Sequence, residues 1–156
     1  MYETRLAKRE ELPLIGNYWF RMASEMGEVD DIPVPGSQRV LEVIAIFEKE
    51  FDAGNIMFKI ATDEKNEIVA CAGGLIREEY SFPLSEEKSI FGWVIAVYTL
   101  PAHRKLGLSS RLVEEVCNWL KDQGAVRARL WSSSSARGMY ENLGFRNMVD
   151  MEKTLK

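Results

Sequence analysis

Two cysteines and one histidine are all that this sequence offers to a redox or metal centre. Cys71 and Cys117 form no C-x-x-C pair and fall on different expected elements. A disulfide framework or thiolate zinc site therefore has no basis, and both read as small buried residues. A lone His103 removes two-histidine metal sites, and no G-x-S-x-G accompanies it as a serine nucleophile would require. No metal is expected. No apolar run reaches the length of about 18 residues that a membrane span needs, and the opening MYETRLAKREE is charged where a signal peptide would be apolar. These absences predict a cytoplasmic protein with no membrane partner. A net charge of −4, with no basic arm at either end, predicts no nucleic-acid partner. Both G-x-G-x-x-G and G-x-x-x-x-G-K-[ST] are missing, which disfavours NAD and the usual nucleoside-triphosphate loop.

What is present suits one core. Of 156 residues 46% are hydrophobic, and no repeat or polar linker divides the chain, so a single domain over 1–156 is expected. Residues 2–8 read as a strand. Glu10, Glu11 and Pro13 suit a helix's first turn, and Ile15, Trp19, Met22 and Met26 then recur at helical spacing. The loop GEVDDIPVPGS comes next, then a second amphipathic helix marked by Val40, Val43, Ile44 and Phe47. Segments 56–62 and 67–77 flank D-E-K-N and predict a β-hairpin, and 89–100 is a strand apolar on both faces, hence central. A helix over 109–123 carries Leu112, Val113, Val116, Cys117 and Leu120 on one face and stops at Gly124. A strand at 126–131, a helix at 135–143 and a last strand at 145–155 complete the order. The pattern gives six strands and predicts an α/β (α+β) fold: a mixed sheet with helices on both faces.

Chemistry concentrates where the central strand ends at Leu100. Pro101 stops the ladder, and a helix begins within eight residues, with Arg104, Lys105, Gly107, Ser109 and Ser110 between. Amides 105–109 then sit at a helix N-terminus, where unsatisfied donors and the macrodipole favour an anion such as a pyrophosphate. A solvated basic surface with an ordinary glycine turn is the alternative that spacing leaves open.

These residues resemble the GNAT superfamily of acetyl-CoA-dependent N-acetyltransferases. Its signature [QR]-x-x-G-x-[GA] looks like Arg104-Lys105-Leu106-Gly107-Leu108-Ser109, and a second block, A-x-x-x-Y-x-x-x-G-F, is matched by Ala136, Tyr140, Gly144 and Phe145. RLAKREELPLI is similar to the family's entry into helix one. Ser109 stands where Gly or Ala is usual, Leu106 where many members have a basic or small residue, and Ser133 where relatives often have asparagine.

The resemblance implies a mixed, mostly antiparallel sheet of six to seven strands with a splayed central cleft holding acetyl-CoA as acyl-donor cosubstrate. Its pantetheine arm would meet backbone groups of Val97, Tyr98 and Thr99. Its pyrophosphate would meet the amides of Lys105, Leu106, Gly107, Leu108 and Ser109, with Arg104 nearby and Ser133 and Ala136 beyond. A free N–H aimed at the developing oxyanion is worth roughly 2.7–4 kcal/mol in comparable sites. Tyr140 is the implied general acid toward the leaving thiolate, although its spacing also suits helix packing. Glu78 and Glu79 are candidate bases, although carboxylates at strand ends are commonly solvated. Glu28, Asp30, Asp31 and Tyr80 are candidates for holding the acceptor, a primary amine of a small molecule or peptide. The acidic trio also fits a solvated loop. His103 reads as a surface residue. The implied enzyme is an acyl-CoA N-acyltransferase (EC 2.3.1 type) working by direct attack, with a homodimer expected by analogy. A non-catalytic acyl-CoA sensor or interaction module is the alternative reading, and a general nucleotide-binding domain a third, against which the missing glycine motifs count.

Overall fold

The computed structural model of the chain describes residues 1–79, 89–148 and 150–155. After strand β1 (Glu3–Leu6), a single 3-10 turn over Arg9–Glu11 redirects the chain. Glu11 sets that turn: its carboxylate accepts the Lys8 N–H at 2.8 Å and is gripped by the Arg5 guanidinium at 2.7 and 3.0 Å. The anchored carboxylate leads into helix α1 (Leu12–Asp30), whose first turn holds Pro13 in place of an amide that would have no partner there. Helix α1 is longer than expected, because Gly27–Asp30 are helical and not part of the following loop. Gly27 makes this possible. A Cβ there would lie 2.5 Å from Val34 and 2.7 Å from the Ile32 carbonyl, so the returning chain packs directly on the helix's last turn. Asp31 then stops the helix in the left-handed region, with φ of 53°.

Helix α2 (Gln38–Asp52) buries Val40, Val43 and Phe47. The expected hairpin is strand β2 (Ile56–Thr62) against strand β3 (Ile68–Glu78). Its turn is organised by Asp63, whose carboxylate accepts the amides of Lys65 and Glu67, both at 2.9 Å, while Asn66 takes the positive φ. Strand β4 (Ile90–Thr99), helix α3 (Leu108–Asp122), strand β5 (Ala128–Arg129) and helix α4 (Arg137–Asn142) complete the chain order.

Among the described residues five strands form one sheet in the order β1-β2-β3-β4-β5, antiparallel except for the parallel β4–β5 pair. Leu12, Ile15 and Tyr18 of α1 join Val43 and Phe47 of α2 over Phe58 and Ile60 on one face. Leu112, Val113, Val116 and Leu120 of α3 join Tyr140 of α4 over Met57, Ala61 and Val94 on the other. The mixed sheet with helices on both faces is therefore as expected, with fewer strands. The strand expected over 126–131 shrinks to Ala128–Arg129. No strand forms among the described residues of 145–155, because β5 meets β4 at only two residue pairs and extends no ladder for a further strand.

One irregularity sets the direction of every side chain in the second half of β4. Between β3 and β4 the register slips, with Cys71 opposite Tyr98 but Gly73 opposite Ile95, and Ala96 takes a φ of 50°. This bulge reverses the alternation of β4. Ile95, Ala96 and Tyr98 all belong to the α1 side, whereas Val94 and Val97 belong to the α3 side. The strand's apolarity on both faces reflects burial under helices on both sides, as the sequence suggests.

Gly73 lies beside the bulge, and a Cβ there would fall 2.6 Å from the fully buried Phe58 ring and 2.9 Å from Ile95. Gly73→Ala is expected to lower stability by about 1–3 kcal/mol through overpacking. Urea unfolding should show an earlier midpoint with an unchanged m-value; an unchanged midpoint would show that the ring moves aside freely.

Candidate functional site

Strand β4 parts from its neighbour early. Only Gly92 and Trp93 pair with Ala128 and Arg129, so from Val94 onward the β5-facing edge of β4 has no ladder. At the far end the Leu100 N–H donates to the Val69 carbonyl at 2.9 Å. Strand alternation then turns the Tyr98 backbone toward β3 and the backbone of Val97 and Thr99 toward the open edge. Val97 and Thr99 thus offer main-chain groups to the gap, whereas Tyr98 presents its side chain to the cleft and not its amide.

At Leu100 the chain leaves the sheet. A 3-10 turn over Pro101–His103 is followed by Lys105 with φ of 63° and Gly107 with φ of 77°, and α3 starts at Leu108. Two left-handed residues around Leu106 curl the backbone in front of the helix N-terminus. Among the described residues the amides of Lys105, Leu106, Gly107, Leu108, Ser109 and Ser110 have no hydrogen-bond acceptor. A Cβ on Gly107 would meet nothing within 4 Å, so space lies in front of these donors. Concave backbone with free amides at the end of a fifteen-residue helix suits an anion. Ser109 does not cap the helix; its hydroxyl shares a hydrogen bond with Thr99 Oγ1 at 2.8 Å, tying the helix start to the strand end.

These groups open into a cleft of about 630 Å³. Val97, Tyr98, Thr99, Arg104, Lys105, Gly107, Leu108 and Ser109 line it from the strand and the junction, and Ser133, Ala136 and Tyr140 from the loop and helix opposite. Leu106 is 59% exposed and lies outside the lining. Tyr140 is buried, its ring edge-on to Phe145 at 5.6 Å, and burial pushes its phenol up to about 12. It stays protonated at neutral pH and can donate a hydrogen bond.

Nothing in the sequence pattern singles out Glu25. Its carboxylate reaches across from α1 to accept the Tyr98 hydroxyl at 2.7 Å and the Arg104 guanidinium at 2.9 and 3.1 Å. Arg104 also donates to the Thr99 carbonyl at 2.8 Å and lies over the Tyr98 ring at 5.3 Å. Burial, then Glu25, pushes the Tyr98 phenol up. Arg104 is thus compensated within the protein, and Lys105 supplies the free positive charge beside the amides. Met22, Met26 and Val29 of α1 line the same cleft. His103 also lines it and is half-buried, bonded through Nδ1 to the Tyr2 hydroxyl at 2.7 Å.

The other expected residues scatter. Glu28 and Asp31 are exposed and line no cleft, and Asp30 bonds the Ser134 amide at 3.1 Å and the Ser134 hydroxyl. These hydrogen bonds hold the Asp30 carboxyl below its usual range. The acidic trio therefore forms no common pocket; with Gly27–Asp30 helical, the three carboxylates are not presented together on a loop. Tyr80 lies outside the described residues. Glu78 is exposed at the end of β3, whereas Glu79 lines a second cavity of about 420 Å³ together with Trp93 and Trp131. Its two oxygens accept Trp93 Nε1 at 2.9 Å and Arg129 Nη2 at 2.8 Å. Trp131 lines both cavities. Among the described residues no group of three or more His, Cys, Asp or Glu is placed to hold a metal ion, and no helix is long and apolar enough to cross a membrane.

The mixed sheet parts beside its fourth strand, and a turn with free amides at the strand's end makes the opening a site for an anionic ligand. The family model described as "Acetyltransferase (GNAT) family" matches residues 25–145, and the chain belongs to that family. A GCN5-related N-acetyltransferase from Ralstonia eutropha JMP134 superimposes with a TM-score of 0.85 at 17% identity, covering 99% of each chain. A predicted acetyltransferase with acetyl-CoA from Clostridium acetobutylicum gives 0.86 at 20%, covering 99% of this chain and 96% of that one. Glucosamine-6-phosphate N-acetyltransferase from Arabidopsis thaliana gives 0.68 at 18%, covering 100% and 99%. At these identities the likeness is one of fold. No curated protein matches the sequence significantly.

The Tyr140 phenol should leave a mark on stability in alkali. Its folded pKa lies above the ordinary value of 10, so the folded state holds the proton more tightly. The resulting stabilisation is complete below pH 10 and is lost as pH rises through about 12. Urea unfolding between pH 9 and about 11.5 should show wild type losing stability faster than Tyr140→Phe. Parallel slopes would mean that the phenol is not held in a dry site.

Proposed function

We propose that the chain is an N-acetyltransferase, one catalytic domain over residues 1–156, that transfers an acetyl group from acetyl-CoA to a primary amine. The observation that carries this reading is the meeting of three features in one cleft: the free β4 edge at Val97 and Thr99, the unpaired amides 105–110, and the Tyr140 hydroxyl. The residues fit the cosubstrate, since open space faces the Gly107 backbone and the cleft has the size of an ordinary ligand site. Acetyl-CoA supplies the activated thioester. The amides from Lys105 to Ser109, with Lys105 and the start of α3, would hold the pyrophosphate, and Ser133 and Ala136 would form the facing wall. In this reading Arg104 serves chiefly to brace Glu25 and Tyr98.

The reaction forms one N–C bond and breaks one C–S bond; the amine loses a proton and the sulfur gains one. A backbone N–H on the open β4 edge stabilises the oxyanion where charge develops. The Tyr140 hydroxyl donates to the departing sulfur. Against a thiol's ordinary value of about 8.5, complete transfer from a phenol at about 12 runs uphill by about 5 kcal/mol. Tyr140 therefore acts as a hydrogen-bond donor to the thiolate, with the proton finally replaced from solvent. Of the two carboxylates expected as base, we favour Glu79, which faces a cavity, over Glu78, which alternates to the other face. Holding both substrates in one site makes direct attack feasible without a covalent enzyme intermediate. The same reading takes the protein as cytoplasmic, without nucleic-acid or membrane partners, and leaves homodimerisation to be measured.

Titration calorimetry with acetyl-CoA, CoA and ATP should show selective binding of the CoA pair, and Gly107→Val should weaken it at least about tenfold, because the φ of 77° strains any side chain there and shifts the amides around it; no protein atom lies within 4 Å of the new Cβ, so far-UV spectra should still show the folded domain. Retained affinity would place the cosubstrate elsewhere. Tyr140→Phe, which removes one hydrogen-bond donor to the developing thiolate, should lower kcat about 10²–10³-fold and leave the acetyl-CoA Kd within about threefold. Acetyl-CoA binding with no thiol release for any amine would make the chain a sensor and not an enzyme.

A further inference from the structure

The second cavity is a separate structure from the cleft that faces α3. Strand alternation puts Leu75, Arg77 and Glu79 of β3 and its extension on the same face as Trp93 and Ile95 of β4, with Leu75 directly opposite Trp93. Leu75 and Ile95 make an aliphatic floor, Trp93 and Trp131 supply flat aromatic walls, and Trp131 is 74% exposed. Because Trp131 also lines the larger cleft, the two spaces meet at one side chain, as the sites of a donor and an acceptor must.

The charges on this face are uneven. Glu79 is neutralised by Arg129, which in turn lies over the rings of Phe91 at 4.6 Å and Trp93 at 5.3 Å. Arg77 lines the same cavity, is exposed, and has no carboxylate or carbonyl partner among the described residues. A guanidinium left unpaired beside two indoles and an aliphatic floor matches a ligand carrying a carboxylate and a flat apolar group. A polyamine would bring a second cation beside Arg77 and leave the apolar floor unused.

We infer that the acceptor is an amino acid with an aromatic side chain, its carboxylate on Arg77, its ring between Trp93 and Trp131, and its amine toward the opening shared with the acetyl-CoA cleft. This rests on the acetyltransferase reading for its chemistry and on the cavity alone for its binding. The acidic loop carries no part of the recognition, and the acceptor is anionic at one end where the sequence suggested a cation site.

The test has two arms. In the first, thiol release from acetyl-CoA by the full chain is monitored with L-phenylalanine, phenethylamine, glycine and spermidine. Phenylalanine should give the highest kcat/KM. Arg77→Gln should raise the KM for phenylalanine at least about tenfold, leaving phenethylamine and the acetyl-CoA Kd within about twofold. In the second, N-acetyl-L-phenylalanine is titrated without CoA and read by indole fluorescence; it should bind wild type and lose affinity by a similar factor in Arg77→Gln. Preference for spermidine, equal rates for glycine and phenylalanine, or an Arg77→Gln effect equal for phenylalanine and phenethylamine would overturn the assignment. Absence of acetyl-CoA binding and of all thiol release would overturn the transferase reading alone, since the fluorescence titration still reads the pocket.

Discussion

A β-sheet holds together because each strand's amides and carbonyls find partners on both sides, and in this sheet one ladder breaks where the cleft begins. Strand β4 has a full partner in β3 but meets β5 at two positions only, and the remaining edge is left with unanswered donors and acceptors in a cleft walled by packed helices. Such an edge is costly to keep dry and empty. It suits a ligand whose own amides can complete the sheet, which is the chemistry of an extended pantetheine arm.

The bulge at Ala96 works with that opening. By reversing the alternation of β4 it keeps Tyr98 on the α1 side, where Glu25 and Arg104 hold it, and leaves the backbone of Val97 and Thr99 facing the gap. A non-glycine residue at positive φ is strained, and strain of this kind persists only where surrounding packing fixes it. Here Ala96 is buried and its carbonyl accepts the Cys71 thiol at 3.2 Å. That thiol is driven up to about 12 by burial, so it serves packing and not reactivity.

Periodic and local signals were legible in the sequence. The apolar spacing of Leu112, Val113, Val116 and Leu120 placed α3 within a residue, and Asp63 and Asn66 marked the hairpin turn through chemistry that any such turn needs. The junction was legible because glycine, proline and basic residues act through their own backbone or charge. Glu25, Trp131 and Ala96 were not, since each matters through partners distant in sequence, or through a conformation that an alanine does not advertise. The acidic run read as part of a loop because its carboxylates are neighbours in sequence, but helix α1 continues through Asp30 and only Asp31, its C-cap, leaves it. A last strand was expected over 145–155, yet a strand needs an edge to join, and β5 is too short to offer one.

The contact between Asp30 and Ser134 joins the last residue of α1 to the loop before α4, and so links helices that lie on opposite faces of the sheet. Their neighbours Val29, Ser133 and Ser135 all line the cleft, which puts this contact at its rim. It behaves as a tie-beam between two walls that the sheet itself no longer joins. A ligand that enters at that rim therefore meets a bonded wall and not a loose edge.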